Sequence, residues 1–382
     1  LVFKNEPPQE ANWRKAGISL YECDPIFEKD EEENEIESFC DKEFDAVPSS
    51  IDIPEFNNAS WIRAPKLHEK NSVMKLFNMI EPNDIIQGSV GSCWLLCALS
   101  ALAEFPAFFE RKVFITKEIN DEGKYEMNFY NPSNRKWEIQ TVDDRIPCTK
   151  GSWFRKSSPL FAKPHENEMY ILLLEKAFAK IAGSYQKISG GYPVLAWLIL
   201  TGCEELYIWT KKNALWNKNI VNVSRNSQID FQKLYVNRTG VRFENDRFFS
   251  TLKECDNKNY VMGASIHGNE MEKKRNDGLV ERHAYSLIEV YDNLENNIQL
   301  VCLRNPWGNE MEWNGDWSDE SNLWQKYPHI KEELNFEKKP DGLFWMSSTD
   351  FFKIFDDVQV CCKSMDTPRA KFADEIDNIE EV

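Results

Sequence analysis

The sequence lacks an excess of basic residues. Of its 382 residues, 46 are Lys or Arg and 63 are Asp or Glu, which gives a formal net charge of −17. Proteins that bind nucleic acid neutralise its phosphates with a basic surface, so this balance argues against a nucleic-acid partner. An acidic surface suits hard cations such as calcium, but the charge alone indicates no more than a well-solvated protein.

The sequence also lacks long apolar runs and paired-cysteine motifs. Its longest apolar runs, 94–103 and 194–202, are too short to cross a bilayer. The ten cysteines do not form the dense pattern of a disulfide scaffold, and none of them are spaced as the CxxC pairs that hold zinc. We therefore expect reduced thiols in a cytoplasmic protein without a transmembrane segment.

The ends of the chain carry no signal-peptide pattern, and the chain starts at Leu1 rather than Met. We therefore expect a piece of a longer protein with flanking regulatory domains. The length indicates two domains or one two-lobed unit. The predicted division is an acidic, irregular lead-in (1–54), a first lobe (55–200), a second lobe (201–362) and an acidic linker or tail (363–382).

A glycine-containing turn followed by an apolar run occupies residues 87–103. Gly88 and Gly91 belong to the turn, and the uncharged residues from Cys93 onward predict a buried helix. Cys93 thus begins the helix, where the partial positive charge of the N-terminus stabilises a thiolate. The side-chain amide of Gln87 is a donor for the oxygen of a carbonyl under attack. The segment predicts a cysteine nucleophile with a glutamine in its oxyanion hole.

The alternative for any cysteine in an apolar helix is a small buried hydrophobe, and we expect that role for Cys97. For Cys93 the catalytic interpretation is favoured, because the surrounding Gly-Ser-Cys-Trp matches the local signature of papain-type enzymes. The match is incomplete, since Val90 stands where the signature has its first cysteine. Such an enzyme also needs a histidine and an orienting residue further along the chain.

Among five histidines, His283 opens a predicted strand, 283–291. Asn305 follows 22 residues later, at the end of the next predicted strand, 298–303. Neighbouring strands would place the two side chains together, so that the Asn carbonyl accepts a hydrogen bond from one imidazole nitrogen while the other nitrogen faces a thiol. We expect Trp307 to cover this contact and exclude water from it.

Each of these residues has a plainer alternative when it is taken alone. His283 fits a hydrogen-bonded core histidine, and Asn305 with Pro306 fits an ordinary turn. Together with Cys93 and Gln87, in the order Cys, His, Asn, they favour a catalytic set in which an imidazolium supports the thiolate.

The remaining patterns predict a mixture of helices and strands. A wide apolar face predicts a second helix over 168–182, which ends at Gly183. Residues 203–260 are polar and rich in Asn, and they indicate little. Strands are predicted over 125–130, 137–142, 261–266, 342–347 and 358–362, with a short helix over 349–355.

With these motifs, the chain resembles the protease core of the calpains, the calcium-dependent members of the papain-like group. The resemblance covers roughly residues 55–362. It is carried by segments that follow one another in the expected order, at 87–96, 142–147, 174–180, 183–191, 283–286, 304–308 and 341–347. It implies an α+β, papain-like, two-lobed core with the nucleophile in a helical lobe and the His and Asn in a β-rich lobe.

The resemblance implies a calcium-dependent intracellular cysteine endopeptidase that performs limited proteolysis of protein substrates through an acyl-enzyme on Cys93. His283 and Asn305 would complete the triad, and Gln87 would donate to the oxyanion. It also implies two calcium sites. Their carboxylate ligands would be Asp84 and Glu168 in the first site, and Glu312, Asp319 and Asp341 in the second.

This sequence departs from the family's pattern in three places. Ser92 replaces the usual acidic residue before the nucleophile, and Leu343 stands where the second calcium site usually has a carboxylate. Residues 203–260 look longer than in the family. Two alternatives stay open: a calpain-like, calcium-responsive scaffold that does not cut, and a papain-like protease without calcium control.

Overall fold

The computed structural model describes residues 38–365, 367 and 369, apart from 69–72, 79, 86, 89–90, 152–155, 165–166, 224–228, 309–310 and the side chain of residue 83. Most of the predicted lead-in 1–54 and of the predicted tail 363–382 therefore lies outside the described residues. The described residues belong to one compact unit, and the predicted lobe boundary between residues 200 and 201 stays a prediction.

Helices and strands alternate along the described residues, which confirms the α+β class. The helices are α1 (Pro48–Ile51), α2 (Cys93–Ala103), α3 (Pro106–Phe108), α4 (Tyr170–Ala182), α5 (Pro193–Thr201), α6 (Asn245–Asn257), α7 (Leu323–Lys326), α8 (Pro328–Glu333) and α9 (Ser348–Ile354). The strands are β1 (Ser60–Arg63), β2 (Lys124–Asn131), β3 (Lys136–Asp143), β4 (Arg145–Cys148), β5 (Leu206–Lys212), β6 (Leu215–Val221), β7 (Val236–Phe243), β8 (Val261–Ile266), β9 (His283–Asn293), β10 (Ile298–Arg304), β11 (Leu343–Ser347) and β12 (Asp357–Cys361).

One antiparallel sheet of eight strands dominates the second half of the described chain. Its strand order is β11-β10-β9-β8-β12-β5-β6-β7. Two smaller sheets, β1-β4 and β2-β3, belong to the first half. The hairpin β9-β10 matters most for function, because its register pairs Ser286 with Arg304 and so brings the start of β9 beside the end of β10.

Helix α2 is apolar on every side, and each of its eleven residues is buried. Such a helix is stable only inside a core. Helix α5 is equally buried, and the indole of Trp197 in α5 donates a hydrogen bond to the Ala98 carbonyl of α2 at 3.0 Å. The two helices therefore form a rigid support behind Cys93.

Helix α4 ends at Gly183, as its sequence predicts. Gly183 adopts φ of 102°, and its backbone N–H donates to the carbonyls of Ala179 and Lys180. That left-handed conformation favours glycine and satisfies the last carbonyls of the helix. The predicted start at 168 is wrong by two residues, because Glu168 pairs with Lys75 in a parallel bridge and the helix begins at Tyr170.

The buried apolar residues form three clusters. The largest joins α2, α4 and α5 to the hairpin β2-β3 and the loops before α2. The second lies between the large sheet and helices α6 and α9, where the ring of Trp216 stacks on that of Phe248 with centroids 4.3 Å apart. The third surrounds Trp324 near β10 and β11.

The predicted strands are confirmed, with shifts of one or two residues at their ends. Residues 203–260, which the sequence left without an assignment, contain β5, β6, β7 and the whole of α6. No single helix in the described ranges is long and apolar enough to span a membrane. Segments Cys93–Ala103 and Pro106–Val113 pass that test only as a pair, bent by 104°.

Candidate active site

Cys93 is the first residue of α2, as the sequence predicts. Its side chain is 7 % exposed, so only a small part of the thiol meets solvent. The N–H groups of the first helical turn surround this position, and their partial positive charge favours a negatively charged group. Cys97, one turn later, is fully buried, and burial raises the pKa of its thiol well above the ordinary value.

His283 and Asn305 meet where β9 begins and β10 has ended. The Asn305 Oδ1 lies 2.8 Å from His283 Nε2. Asn305 is itself fixed, because its backbone N–H donates to the Gly342 carbonyl at 2.9 Å and its side-chain amide donates to the Met311 carbonyl at 2.8 Å. Since the Asn305 Nδ2 is a donor, its Oδ1 is the acceptor, and the proton of this hydrogen bond belongs to Nε2.

Cys93 and His283 come together across this site, although they are far apart in the sequence. The Cys93 Sγ, a ring nitrogen of His283 and a carboxylate oxygen of Glu272 all lie within 4.8 Å of one another. A sulfur from the front half of the chain and an imidazole from the back half thus share one cluster. The side chains of Cys93 and His283 therefore lie close together, as the sequence predicts.

Trp307 covers the His–Asn pair, as the sequence led us to expect. Its ring centroid lies 4.9 Å from that of the His283 imidazole. Its backbone N–H donates to Asn305 Oδ1 at 3.1 Å, and its indole N–H donates to Gln87 Oε1 at 3.0 Å. The indole therefore shields the Asn305–His283 hydrogen bond and orients the amide of Gln87.

Gln87 lies at the same site, with its amide oriented by neighbours from the far half of the chain. Because Trp307 donates to Oε1, the nitrogen Nε2 points the other way, and it donates to Glu272 Oε1 at 2.8 Å. The backbone N–H of Gln87 also donates to the Pro306 carbonyl at 3.3 Å. The predicted donor, Gln87 Nε2, lies at the site, but it is hydrogen-bonded to the Glu272 carboxylate.

Glu272 is the site residue that sequence reasoning missed. It lies in the connection between β8 and β9 and adopts φ of 51°, a left-handed conformation that is unfavourable for Glu. Its side chain is 23 % exposed, and its Oε1 is 3.8 Å from His283 Nδ1. The surrounding sequence, Asn-Glu-Met-Glu-Lys-Lys-Arg, contains charges of both signs, so no local pattern distinguishes this carboxylate.

The charges in this cluster stabilise one another. Burial alone would lower the pKa of His283, but its interactions with Cys93 and Glu272 raise that pKa to about 9. Burial alone would raise the pKa of Glu272, but its interactions with His283 and Gln87 lower that pKa below the ordinary value. An imidazolium beside a carboxylate is therefore the favoured state at neutral pH.

A groove of about 650 Å³ passes over the cluster. Its walls include Cys93, Gly191, His267, Met271 and His283. Gly191 is required by close packing, because a Cβ at that position would lie 2.5 Å from the ring of Trp94. The groove borders both the thiol and the imidazole, so a polypeptide bound in it would reach them.

The first predicted calcium pair, Asp84 and Glu168, lies around the phenol of Tyr170. Asp84 Oδ2 accepts hydrogen bonds from the Tyr170 hydroxyl at 3.1 Å and from the Glu81 backbone N–H at 2.7 Å. Glu168 Oε1 accepts one from the Asn78 backbone N–H. Burial raises the pKa of Tyr170, and the carboxylates of Asp84 and Glu168 raise it further. Both carboxylates thus act on one buried hydroxyl.

The second predicted set, Glu312, Asp319 and Asp341, forms a carboxylate cluster around the turn before β11. Burial and the charges of Asp319 and Asp341 raise the pKa of Glu312 to about 7. Burial and the charge of Asp341 raise the pKa of Asp319 to about 6. Leu343, which replaces a family carboxylate, packs instead against the third apolar cluster.

Neither predicted calcium set brings three acidic oxygens together. Within the described part of the chain, Cys93, Glu272 and His283 form the only group of three His, Cys, Asp or Glu side chains with ligand atoms within 4.8 Å of one another. The donor chemistry of the two acidic sets, carboxylate oxygen, nevertheless fits calcium.

Ser92 stands where the family usually has an acidic residue, and its side chain is hydrogen-bonded to a buried acidic residue, Glu175. Its hydroxyl donates to Glu175 Oε1 at 3.0 Å, and the Ala162 backbone N–H donates to Glu175 Oε2 at 2.8 Å. Glu175 is 2 % exposed, and burial raises its pKa to about 7, although these two hydrogen bonds oppose the shift. The residue before the nucleophile is therefore held by a carboxyl group that titrates near neutrality.

Glu175→Gln should reduce the pH dependence of stability. The pKa of Glu175 is about 7 in the folded chain and about 4.5 when unfolded, so the free energy of unfolding falls as pH rises from 4.5 to 7. Gln keeps an acceptor for Ala162 and a partner for Ser92 without that ionisation. Urea unfolding at pH 5 and pH 8 should show the variant gaining up to about 3 kcal/mol relative to wild type. An identical pH dependence in both proteins would contradict this.

Residues 39–362 match the family described as calpain family cysteine protease. Calpain-type cysteine protease ADL1 of Oryza sativa subsp. japonica is 30% identical over 373 residues, which are 93% of this chain and 15% of that protein. Calpain-A of Drosophila melanogaster is 32% identical over 74% of this chain and 31% of its own length. Calpain of Schistosoma mansoni is 32% identical over 84% of this chain and 39% of its own length.

Proposed function

The chain belongs to the calpain family of cysteine proteases, and from that premise we propose that it is a calcium-dependent endopeptidase that performs limited proteolysis of proteins in the cytoplasm. The chain matches less than two fifths of the length of the three relatives described above, so the activity of any longer parent protein is part of the proposal. The nine described cysteines are free thiols, which supports a reducing compartment.

The observation that carries the proposal is the approach of Cys93 to His283, with Asn305 bonded behind the imidazole. The imidazolium stabilises a thiolate, which attacks the peptide carbonyl and forms an acyl-enzyme. His283 then donates its proton to the leaving amine, and the imidazole activates the water that releases the acyl group. Asn305 keeps the imidazole in the orientation that both steps require.

The oxyanion that develops during attack needs a donor, and Gln87 Nε2 is in place to serve as one. In the present arrangement that donor is bonded to Glu272 at 2.8 Å. A substrate carbonyl therefore enters only when the Glu272 carboxylate leaves Gln87. Because Glu272 belongs to a connection and not to a strand, its displacement need not disturb β8 or β9.

Calcium dependence is supported by the two acidic sets. Asp84 and Glu168 would hold a cation beside Tyr170, and Glu312, Asp319 and Asp341 would hold another before β11. A bound calcium would neutralise carboxylates whose pKa values are raised by burial and by neighbouring charges, as at Glu312 and Asp319. A ligand of this kind shifts a conformational equilibrium by its differential affinity for the two states.

The second acidic set is connected to the catalytic residues through one glycine. The backbone N–H of Gly342 donates to Glu312 Oε1 at 2.7 Å, and its carbonyl accepts from the Asn305 backbone N–H at 2.9 Å. A shift of Glu312 toward a cation would therefore move the segment that positions Asn305. In the first set, a shift of Asp84 toward a cation would move the segment that positions Gln87, because Asp84 lies three residues before Gln87.

Cleavage of casein by the full chain should require calcium, and Glu168→Gln should raise the half-activating calcium concentration about tenfold. The physical reason is the loss of one of two carboxylates at the first site, since calcium affinity follows the number of charged ligands. The measurement is a calcium titration of casein cleavage, with Glu110→Gln as a control that removes an exposed carboxylate elsewhere.

Each alternative has its own outcome in that titration. Full activity in excess chelator would favour a papain-like protease without calcium control, and would remove the ligand roles of Asp84 and Glu168. No cleavage at any calcium concentration, with a Cys93 thiol that an epoxysuccinate does not modify selectively, would favour the calcium-responsive scaffold.

A further inference from the structure

We propose that the catalytic centre binds a thiophilic divalent cation, of which Zn²⁺ is the type, through the Cys93 sulfur, the His283 Nδ1 nitrogen and a Glu272 carboxylate oxygen. The proposal deepens the proposed function, on which it rests for its consequence: a coordinated sulfur cannot attack a carbonyl, so the bound cation inhibits the enzyme. This cation site is separate from the acidic sets around Tyr170 and β11.

The donor set is the first argument. Cysteine sulfur, histidine nitrogen and carboxylate oxygen are the three kinds of ligand that zinc takes in proteins. The three donor atoms lie within 4.8 Å of one another. Ligands of a tetrahedral zinc at about 2.0–2.3 Å from the metal are roughly 3.3–3.6 Å apart, so shifts of about 1 Å suffice to close the shell. Water from the groove would take the fourth position.

The imidazole is the second argument. The Nδ1 of His283 is buried and has no hydrogen-bond partner among the described residues. Its Nε2 is already used by Asn305 Oδ1 at 2.8 Å. An imidazole held from behind by a side-chain carbonyl, with the other nitrogen facing a cluster of donors, is the arrangement of metal-binding histidines. Coordination releases the proton of the thiol and any proton on Nδ1.

Glu272 adds a third ligand to the pair formed by Cys93 and His283. Its Oε1 lies 3.8 Å from His283 Nδ1, and Gln87 Nε2 donates to the same oxygen at 2.8 Å. This hydrogen bond holds the carboxylate beside the sulfur and the imidazole before any cation arrives. The carboxylate also supplies a negative charge that offsets part of the charge of the metal. A third, anionic and oriented ligand distinguishes this site from a bare Cys–His pair.

The test is a zinc-binding titration of the full chain against a chromophoric chelator, with calcium absent. Wild type should show one zinc equivalent that Cys93→Ala removes. Glu272→Gln should weaken binding of that equivalent by about tenfold to a hundredfold. Glu270→Gln is the matched control, because Glu270 lies on the same connection, is largely exposed and pairs with Lys273. Its affinity should equal that of wild type.

A second readout reports on Cys93 directly. Zinc should slow alkylation of Cys93 by iodoacetamide, measured by peptide mass spectrometry, in wild type and Glu270→Gln far more than in Glu272→Gln. Equal affinity in Glu272→Gln and wild type, or zinc binding that survives Cys93→Ala, would overturn the proposal. Neither readout uses a substrate, so a chain that binds zinc as described but cleaves nothing would contradict the proposed function and leave this site intact.

Discussion

Cys93→Ala is expected to abolish cleavage of peptide bonds while the chain folds as before. The substitution removes a single sulfur atom from the first position of α2 and places there an alanine, the residue that helices favour most. The cost in stability should be about 1 kcal/mol, as for the loss of one small buried group. Cleavage should be lost completely, because Cys93 supplies the sulfur that lies in one cluster with His283 and Glu272.

Cys97→Ala is the matched control for this prediction. It removes the same atom from the same helix, one turn away, where burial raises the pKa of the thiol and no substrate reaches it. Casein cleavage should persist in this variant at close to the wild-type rate. Cleavage at the wild-type rate by Cys93→Ala would rule out Cys93 as the nucleophile, whatever the other residues do.

Covalent labelling needs a further control at Cys203. Hydrogen bonding to Cys361 lowers the pKa of Cys203 to about 7, and Cys203 is only partly buried. A small reagent such as iodoacetamide will therefore modify Cys203 as well, since the thiolate is the reactive form. An epoxysuccinate that binds in the groove should prefer Cys93. Equal labelling of Cys203 and Cys93 by that reagent would favour the scaffold.

Loss of the oxyanion donor should slow catalysis strongly. Gln87→Ala should lower kcat by about 10²–10³, because it removes one preorganised donor from the carbonyl under attack. Glu272→Ala should act in the opposite direction and raise kcat/KM about tenfold. In wild type the same donor is held by a carboxylate at 2.8 Å, and a charge-assisted hydrogen bond of about 1.5–3 kcal/mol must be broken before substrate enters.

The two substitutions should not be additive. In Gln87→Ala the carboxylate has no donor to occupy, so adding Glu272→Ala should bring little further gain. Glu270→Ala serves as the control on the same connection and should leave kcat/KM unchanged. A loss of activity in Glu272→Ala would contradict the blocking role, and would mean that Glu272 supports the His283 imidazolium during the reaction.

The candidate catalytic residues were predictable because each lies in a strong local pattern. Cys93 follows a glycine turn and opens an uncharged run, which predicts a buried helix with the sulfur at its start. His283 and Asn305 lie on consecutive strands, and consecutive antiparallel strands are usually neighbours, so their contact at 2.8 Å follows from order along the chain. The structure places these residues together, while their catalytic roles stay a prediction.

Other features were predicted wrongly from the sequence or were not predicted at all. The predicted start of α4 failed because the bridge between Lys75 and Glu168 competes with helix formation, and such a partner has no local signature. Within residues 203–260, strand β5 pairs with β12, which follows it by more than a hundred residues. Propensity does not report on partners at that distance.

The amino-acid order alone was enough to place a thiol at a helix start, a histidine beside an asparagine and a glutamine upstream, because turn chemistry and hydrophobic periodicity act over a few residues. The sequence alone did not predict that the oxyanion donor, Gln87, is hydrogen-bonded to Glu272. Glu272 and Gln87 are 185 positions apart, and their contact depends on a left-handed turn in a connection with no regular pattern. Folding of the whole chain brings these groups together, and burial among opposite charges then sets their protonation.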